Sequence, residues 1–83
     1  MTNEQIEKFL TAETLAKRPI RMSFKTRNTI TGLFLNGNDF NDLKQKNFWR
    51  VVTEANMEGW KKSQDNNLTR IFNGAEITKL TLA

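Results

Sequence analysis

The chain has 83 residues and a formal net charge of +4, and 37% of its residues are hydrophobic, with six Phe and two Trp. This length predicts one domain over residues 1–83 with a small core, because so short a chain buries only about 60 to 65% of its unfolded surface. The aromatic content is enough for such a core, so we expect a folded rather than a disordered protein. The absence of Cys excludes disulfides and thiolate metal sites.

Charge and hydropathy indicate which partners and which compartment to expect. The excess of 13 Lys and Arg over nine Asp and Glu favours polyanionic partners. No segment approaches the roughly 18 consecutive apolar residues of a membrane span, and the polar start MTNEQIEK does not resemble a signal peptide. We therefore expect a cytoplasmic protein with no membrane contact.

The first segment, residues 1–17, predicts a helix from about Asn3 to Ala16. Thr2 and Gln5 have the spacing of a capping box, and Pro19 prevents the helix from continuing. Three apolar residues share one helical face and are expected to dock it: Ile6, Phe9 and Leu10.

Two strands are predicted next, because residues 20–24 alternate between apolar and polar and residues 29–35 are rich in β-branched and apolar types. Gly32 lies in the middle of the second strand. Glycine inside a strand marks a bend, a bulge or a close backbone approach. A strongly bent strand is what a small closed barrel requires.

The second half predicts further strands, beginning after the turn at Asn36 and Gly37. The segment 54–62 fits either a helical turn or a strand, and we favour the strand. The predicted strand segments are residues 40–46, 48–52, 54–62 as part of a long strand, 68–72 and 75–82, so that five or six strands follow the helix. The sequence therefore predicts a mainly β protein, a strongly bent five-stranded antiparallel barrel over residues 19–82 with an N-terminal α-helix.

The order and spacing of these features resemble an Sm-like domain, and in the first half the bacterial Sm-like RNA chaperones. The pair 9–10 precedes Pro19 by ten residues, and Pro19 precedes Gly32 by thirteen. Residues 39–43 resemble the first Sm motif, and residues 71–77, with Gly74 and Ile77, resemble the second. The resemblance implies a small barrel that binds single-stranded RNA, with rings of subunits as a further expectation.

The second motif also departs from the family. Where Sm proteins carry Arg before the glycine, and the chaperones a Tyr-Lys-His triplet, this chain has Phe72, Asn73 and Gly74. The cation of the usual uridine pocket is therefore missing. Two hypotheses follow: an RNA-binding barrel, or a protein-interaction or accessory barrel that lacks RNA binding.

Catalysis is not expected from this composition. Without His or Cys, the only candidate acids are the pairs Asp39 with Asp42 and Glu54 with Glu58. The first pair lies in an Asn-rich loop, where such side chains ordinarily bond local backbone amides. We predict a non-enzymatic protein without a metal or cofactor.

Nucleic-acid binding requires cations beside exposed aromatic rings, since phosphates take the charge and bases stack on the rings. The combinations of Trp49 with Arg50 and of Trp60 with Lys61 and Lys62 have this form, and the alternative is that both tryptophans pack in the core. The resemblance adds two asparagines in loops that face the pore of Sm rings. The candidate nucleic-acid-binding residues are Asn41, Asn73, Trp60, Lys61, Lys62 and Arg50. The expected partners are single-stranded RNA, further copies of the chain in a ring, or another protein.

Overall fold

The computed structural model describes all residues, Met1–Ala83. Eight helices and strands follow one another along the chain: α1 (Asn3–Phe9), β1 (Ile20–Phe24), β2 (Ile30–Phe34), α2 (Phe40–Gln45), β3 (Phe48–Thr53), α3 (Glu54–Ser63), β4 (Arg70–Asn73) and β5 (Ile77–Leu82). Short 3₁₀ turns precede β4 and β5 at Asn66–Leu68 and Gly74–Glu76. None of the helices is long and apolar enough to cross a membrane.

The five strands form one antiparallel sheet in the order β4-β3-β2-β1-β5. No ladder joins β4 to β5, so the sheet is open and the predicted closed barrel is not formed. The reason lies in the 3₁₀ turn between these strands, whose ends bond elsewhere. The amide of Gly74 donates to the carbonyl of Asn47, and the carbonyl of Glu76 accepts from the amide of Lys25.

The sheet is nevertheless strongly curved. In a flat sheet β1 and β4 would lie about 14 Å apart, three strand spacings of about 4.8 Å. The ring centroids of Phe24 on β1 and Phe72 on β4 are 5.7 Å apart. Their side chains therefore converge across one face of the sheet, which holds the main core.

That face is covered by α1, and we call it the α1 face. Trp49 is 2% exposed there, its ring lies against those of Phe34 and Phe40, and its indole Nε1 donates to Asn47 Oδ1 at 2.8 Å. Ten buried residues form this core: Ile6, Leu10, Ile20, Met22, Phe34, Trp49, Val51, Phe72, Ile77 and Leu80. The predicted alternation of β1 and the docking of α1 through Ile6 and Leu10 are confirmed, while Phe9 is half-buried.

The opposite face carries α3, and we call it the α3 face. Its buried residues are Leu33 and Leu35 from the second strand region and Val52 from β3, and the half-buried side chains of Met57 and Trp60 pack on them. The sheet is thus apolar on both faces, with a helix on each.

Gly32 allows β2 and β3 to approach each other closely. A Cβ at Gly32 would lie 2.5 Å from Val51 Cγ1 and 2.8 Å from the carbonyl oxygen of Val52, distances that side chains do not tolerate. Of the roles predicted for this glycine, close backbone approach is the one that the structure shows.

Three predicted elements differ in the structure. The first helix ends at Phe9, not Ala16, because Thr14 Oγ1 accepts from the Thr11 amide at 2.8 Å and donates to the Phe9 carbonyl at 3.2 Å. Such hydroxyl groups compete with helical hydrogen bonds.

The segments 40–46 and 54–62, predicted as strands, are the helices α2 and α3. Neither contains a β-branched residue, so their strand propensity is low. Met57 and Trp60, three positions apart, both face the sheet in the helical conformation. The strand prediction for both segments was wrong. Met57 and Trp60 pack on the α3 face, and Phe40 of α2 packs on the core of the α1 face.

Candidate functional site

A cleft of about 190 Å³ opens on the α3 face, beside α3 and the loop that follows β2. Four of its lining residues have polar side chains, and one contributes an aromatic ring. Eight residues line it: Ala16, Leu35, Asn36, Gly37, Arg50, Trp60, Gln64 and Asn66. Two of the predicted binding residues, Arg50 and Trp60, are therefore brought together.

Trp60 forms the aromatic wall of the cleft. Its helix lies on the small cluster around Val52, so the ring is held from one side and remains half-exposed. The chain then turns sharply, because Gln64 adopts the left-handed conformation (φ 57°) and its amide donates to the Trp60 carbonyl at 2.7 Å. This turn places the amide side chains of Gln64 and Asn66 beside the same cleft as the indole.

Arg50 forms the cationic wall, and its orientation is determined by two hydrogen bonds. One terminal nitrogen donates to Thr69 Oγ1 at 2.8 Å and the other to Asp39 Oδ2 at 2.7 Å. The bond from Arg50 holds the pKa of Asp39 below its ordinary value. The ion pair offsets the positive charge of Arg50, but the guanidinium retains further N–H donors for a ligand.

Lys61 and Lys62 follow Trp60 on α3, and both are exposed. Lys62 Nζ lies 3.5 Å from Glu58 Oε1 one helical turn away, with both side chains more than three-quarters exposed. Such a pair contributes little and is readily exchanged for another anion. The two lysines thus provide exposed positive charge next to Trp60 in the chain, but neither lines the cleft.

Asn41 and Asn73 do not line the cleft. Asn41 is exposed on α2, and Asn73 ends β4, where its Oδ1 accepts from the Ala75 amide at 2.9 Å and caps the 3₁₀ turn. Trp49 is buried in the α1 face, so it offers no surface for a base. The core alternative is correct for Trp49, while Trp60 is only half-buried.

The sequence analysis did not identify three polar residues of the cleft: Asn36, Gln64 and Asn66. Two signals were present, since Asn36 belongs to the predicted Asn-Gly turn and Gln64 and Asn66 to the polar turn after α3. These signals predict loops, but only the curvature of the sheet determines which loops meet.

The site has none of the usual groups for catalysis or metal binding. No three acidic side chains lie close enough to hold a metal ion, and the one carboxylate beside the cleft, Asp39, is committed to Arg50. What the arrangement can do chemically is hold a planar group against an indole and hydrogen-bond its edge through amides.

No protein-family model, no curated protein and no solved structure matches the chain. The resemblance to Sm-like domains therefore stays a prediction based on the sequence motifs, and the cleft is the feature from which a function is to be inferred.

Proposed function

We propose that the protein binds single-stranded RNA through the cleft beside Trp60, and that its helix and five strands are an open relative of the Sm-like barrel. The single observation that carries the RNA proposal is the half-exposed indole of Trp60 in a cleft walled by amide side chains and a guanidinium. The Sm-like relationship is supported by the order of an N-terminal helix and five antiparallel strands. It favours RNA over DNA, and no enzymatic activity is assigned.

The size and chemistry of the cleft suit one nucleobase. Its volume of about 190 Å³ is below the roughly 300 Å³ at which sites for drug-sized ligands begin. A base stacked on Trp60 places its edge near the amides of Asn36, Gln64 and Asn66, which both donate and accept hydrogen bonds. Bases in a duplex are already paired and stacked, so only a single strand presents such a base.

The phosphates of the bound strand are assigned to Lys61 and Lys62. Both follow Trp60 directly and are exposed. Phosphate contacts position a strand without selecting its sequence, whereas contacts to base edges select it. Asn41 and Asn73 lie outside the cleft, and their contribution to base selection stays a prediction from the resemblance.

Fluorescence anisotropy with labelled uridine- or adenine-rich strands, compared with duplexes of equal length at two salt concentrations, tests the proposal. We expect tighter binding to single strands and weaker binding at higher salt, because phosphate contacts release counterions. Trp60→Ala should weaken binding about tenfold or more, since stacking of one base contributes about 1–3 kcal/mol. The control Trp60→Phe retains a ring and should lose less. Dissociation constants above about 100 μM at physiological salt would overturn the proposal.

A second pair of variants separates phosphate contacts from base contacts. Lys61→Glu combined with Lys62→Glu should weaken binding to all sequences alike, because it reverses charges that face phosphates and leaves the contacts to base edges intact. Asn66→Ala should instead reduce the difference in affinity between uridine- and adenine-rich strands. If the lysine variants bind as tightly as the natural protein, the strand does not run along α3.

A second candidate function is protein association, in a ring of copies or with another protein. Each edge strand carries a large exposed hydrophobic residue, Ile71 on β4 at 49% exposure and Leu82 on β5 at 44%. Edge strands offer unpaired backbone groups to other chains. Light scattering decides between a monomer and an assembly, and Ile71→Lys should dissociate an assembly that uses β4. A monomeric mass would exclude the ring.

A further inference from the structure

Two arginines lie over the aromatic pair that closes the α1 face, at the far side of the sheet from the cleft. The Arg27 guanidinium carbon is 5.4 Å from the centroid of the Phe24 ring, and that of Arg70 is 5.4 Å from the centroid of the Phe72 ring. The two rings are themselves 5.7 Å apart. One guanidinium, two rings and the other guanidinium therefore form one continuous cluster.

Long-range folding creates this cluster. Phe24 and Arg27 come from the end of β1 and the turn after it, whereas Arg70 and Phe72 come from β4, and two strands lie between β1 and β4 in the sheet. The pairing of β1 with β5 shifts register between Ser23 and Phe24, and such irregularities change the direction of a side chain. Phe72 is only 5% exposed, so the platform under Arg70 is fixed by the core.

Neither arginine has an anionic partner. The ion pairs of the protein involve Lys44, Arg50 and Lys62, and no side-chain hydrogen bond uses Arg27 or Arg70. The neighbouring Lys25 is likewise exposed and unpaired. Glu76 bonds the Lys25 amide through its backbone carbonyl, and its carboxylate pairs with no cation.

Stacking leaves the edge of a guanidinium free. A ring attracts the face of the cation, while the N–H groups point outward in the guanidinium plane, the geometry that binds a phosphate with two parallel hydrogen bonds. A guanidinium already held against a ring also loses less conformational freedom when a ligand binds. Each guanidinium is therefore held ready to bind a phosphate, and neither has to release a carboxylate first.

We propose that Arg27 and Arg70 form a binding site for phosphate groups, with Phe24 and Phe72 as their platforms. The site is separate from the cleft, because none of these four residues lines it. The phosphate belongs either to the backbone of a nucleic-acid strand or to a small free phosphate compound, and both share the oxygen atoms that the guanidinium groups recognise.

The first test is NMR of the arginine side-chain Nε–H groups during titration with pyrophosphate at physiological salt. We expect the signals of Arg27 and Arg70 to shift together, while that of Arg21, exposed on β1 with its side chain on the other face of the sheet, stays in place. Equal shifts at Arg21 would overturn the proposal, because they would indicate general attraction by charge. An absence of any shift at Arg27 and Arg70, with pyrophosphate and with an oligonucleotide, would also overturn it.

Charge-matched variants then distinguish a site from an excess of charge. Arg27→Gln with Arg70→Gln should weaken pyrophosphate binding about tenfold or more, as expected from lost hydrogen bonds to a charged group. The control Arg21→Gln with Lys79→Gln removes the same charge from exposed positions and should change affinity less than about twofold. Arg27→Lys with Arg70→Lys keeps the charge but loses the planar fork, so binding should still fall. Equal affinity in the Lys variant and the natural protein would overturn the site. Melting curves verify that these surface variants remain folded.

Parallel titrations with an oligonucleotide identify the source of the phosphate. If substitution of Arg27 and Arg70 weakens binding of the oligonucleotide, the site binds the nucleic-acid backbone. If it weakens binding of pyrophosphate alone, the site binds a small phosphate compound. Trp60→Ala should leave pyrophosphate binding unchanged. The experiments therefore show separately whether the proposal of RNA binding at the cleft fails and whether the proposal of the phosphate site fails.

Discussion

The two faces of the sheet differ in how deeply each buries its tryptophan. On the α1 face Trp49 is 2% exposed, is surrounded by aromatic rings and has its one polar group satisfied by Asn47. On the α3 face Trp60 packs on a cluster of three buried residues and remains half-exposed beside the cleft. The same residue type therefore maintains the fold on one face and is available to a ligand on the other. The difference arises because ten buried residues form the core of one face and only three lie beneath α3 on the other.

The largest expected effect comes from removing each tryptophan in turn. Trp49→Ala should lower the free energy of unfolding by about 3–5 kcal/mol, as large core truncations do. Trp60→Ala should cost about 1 kcal/mol, because its side chain is only partly buried in the folded protein. Urea unfolding followed by circular dichroism measures both. Equal costs for the two variants would remove the distinction between the faces.

A matched pair of glycine variants should have effects of opposite sign on the two sides of the sheet. Gly32→Ala is expected to destabilise by about 2 kcal/mol or more, because its Cβ meets the Val51 side chain and the Val52 carbonyl in a place with no room to relax. Gly59→Ala on α3 should stabilise by about 0.5–1 kcal/mol, since alanine favours the helix and its Cβ meets only Leu68 Cδ1 at 3.4 Å. Thermal melting of the two variants checks the signs. A stable Gly32→Ala protein would mean that β2 and β3 do not approach as closely as described.

The smallest effect concerns the ion pair at the cleft. Because Arg50 hydrogen-bonds the carboxylate, the pKa of Asp39 lies below its ordinary value of 3.8. The ionised Asp39 carboxylate therefore contributes its full stabilisation at pH values above its pKa in the unfolded chain. That stabilisation is lost as the pH falls through the lower pKa of the folded protein. The Asp39 side chain is 41% exposed, so Asp39→Asn should cost less than about 1 kcal/mol at neutral pH.

The pH dependence of that cost provides the control. The difference between Asp39→Asn and the natural protein should shrink towards zero once the pH is below 3.8, as measured by urea unfolding at neutral and acidic pH. A difference for Asp39→Asn that persists in acid would mean that the pair does not depend on the charge of Asp39.

The local signals in the sequence determined several parts of this structure. The capping box of Thr2 and Gln5 is formed as predicted, since it depends on residues three positions apart. The alternation of residues 20–24 predicted which side chains of β1 are buried, because a strand places neighbours on opposite faces whatever the rest of the chain does. Gly32 was identified as an unusual strand residue for the same local reason.

Tertiary structure decided where the helices of the middle segment pack and which residues form the two candidate binding surfaces. Residues 54–62 lack β-branched residues and have a low strand propensity, but their helix is held in place because Met57 and Trp60 pack on the apolar α3 face of the sheet. The cleft joins Ala16, Asn36, Arg50 and Trp60 from distant parts of the chain, and Phe24 meets Phe72 only because the sheet curves. The hydrophobic period of a strand and the cap of a helix depend on residues that are close together in the sequence. The curvature of the sheet and the contacts between loops result from the packing of the whole core.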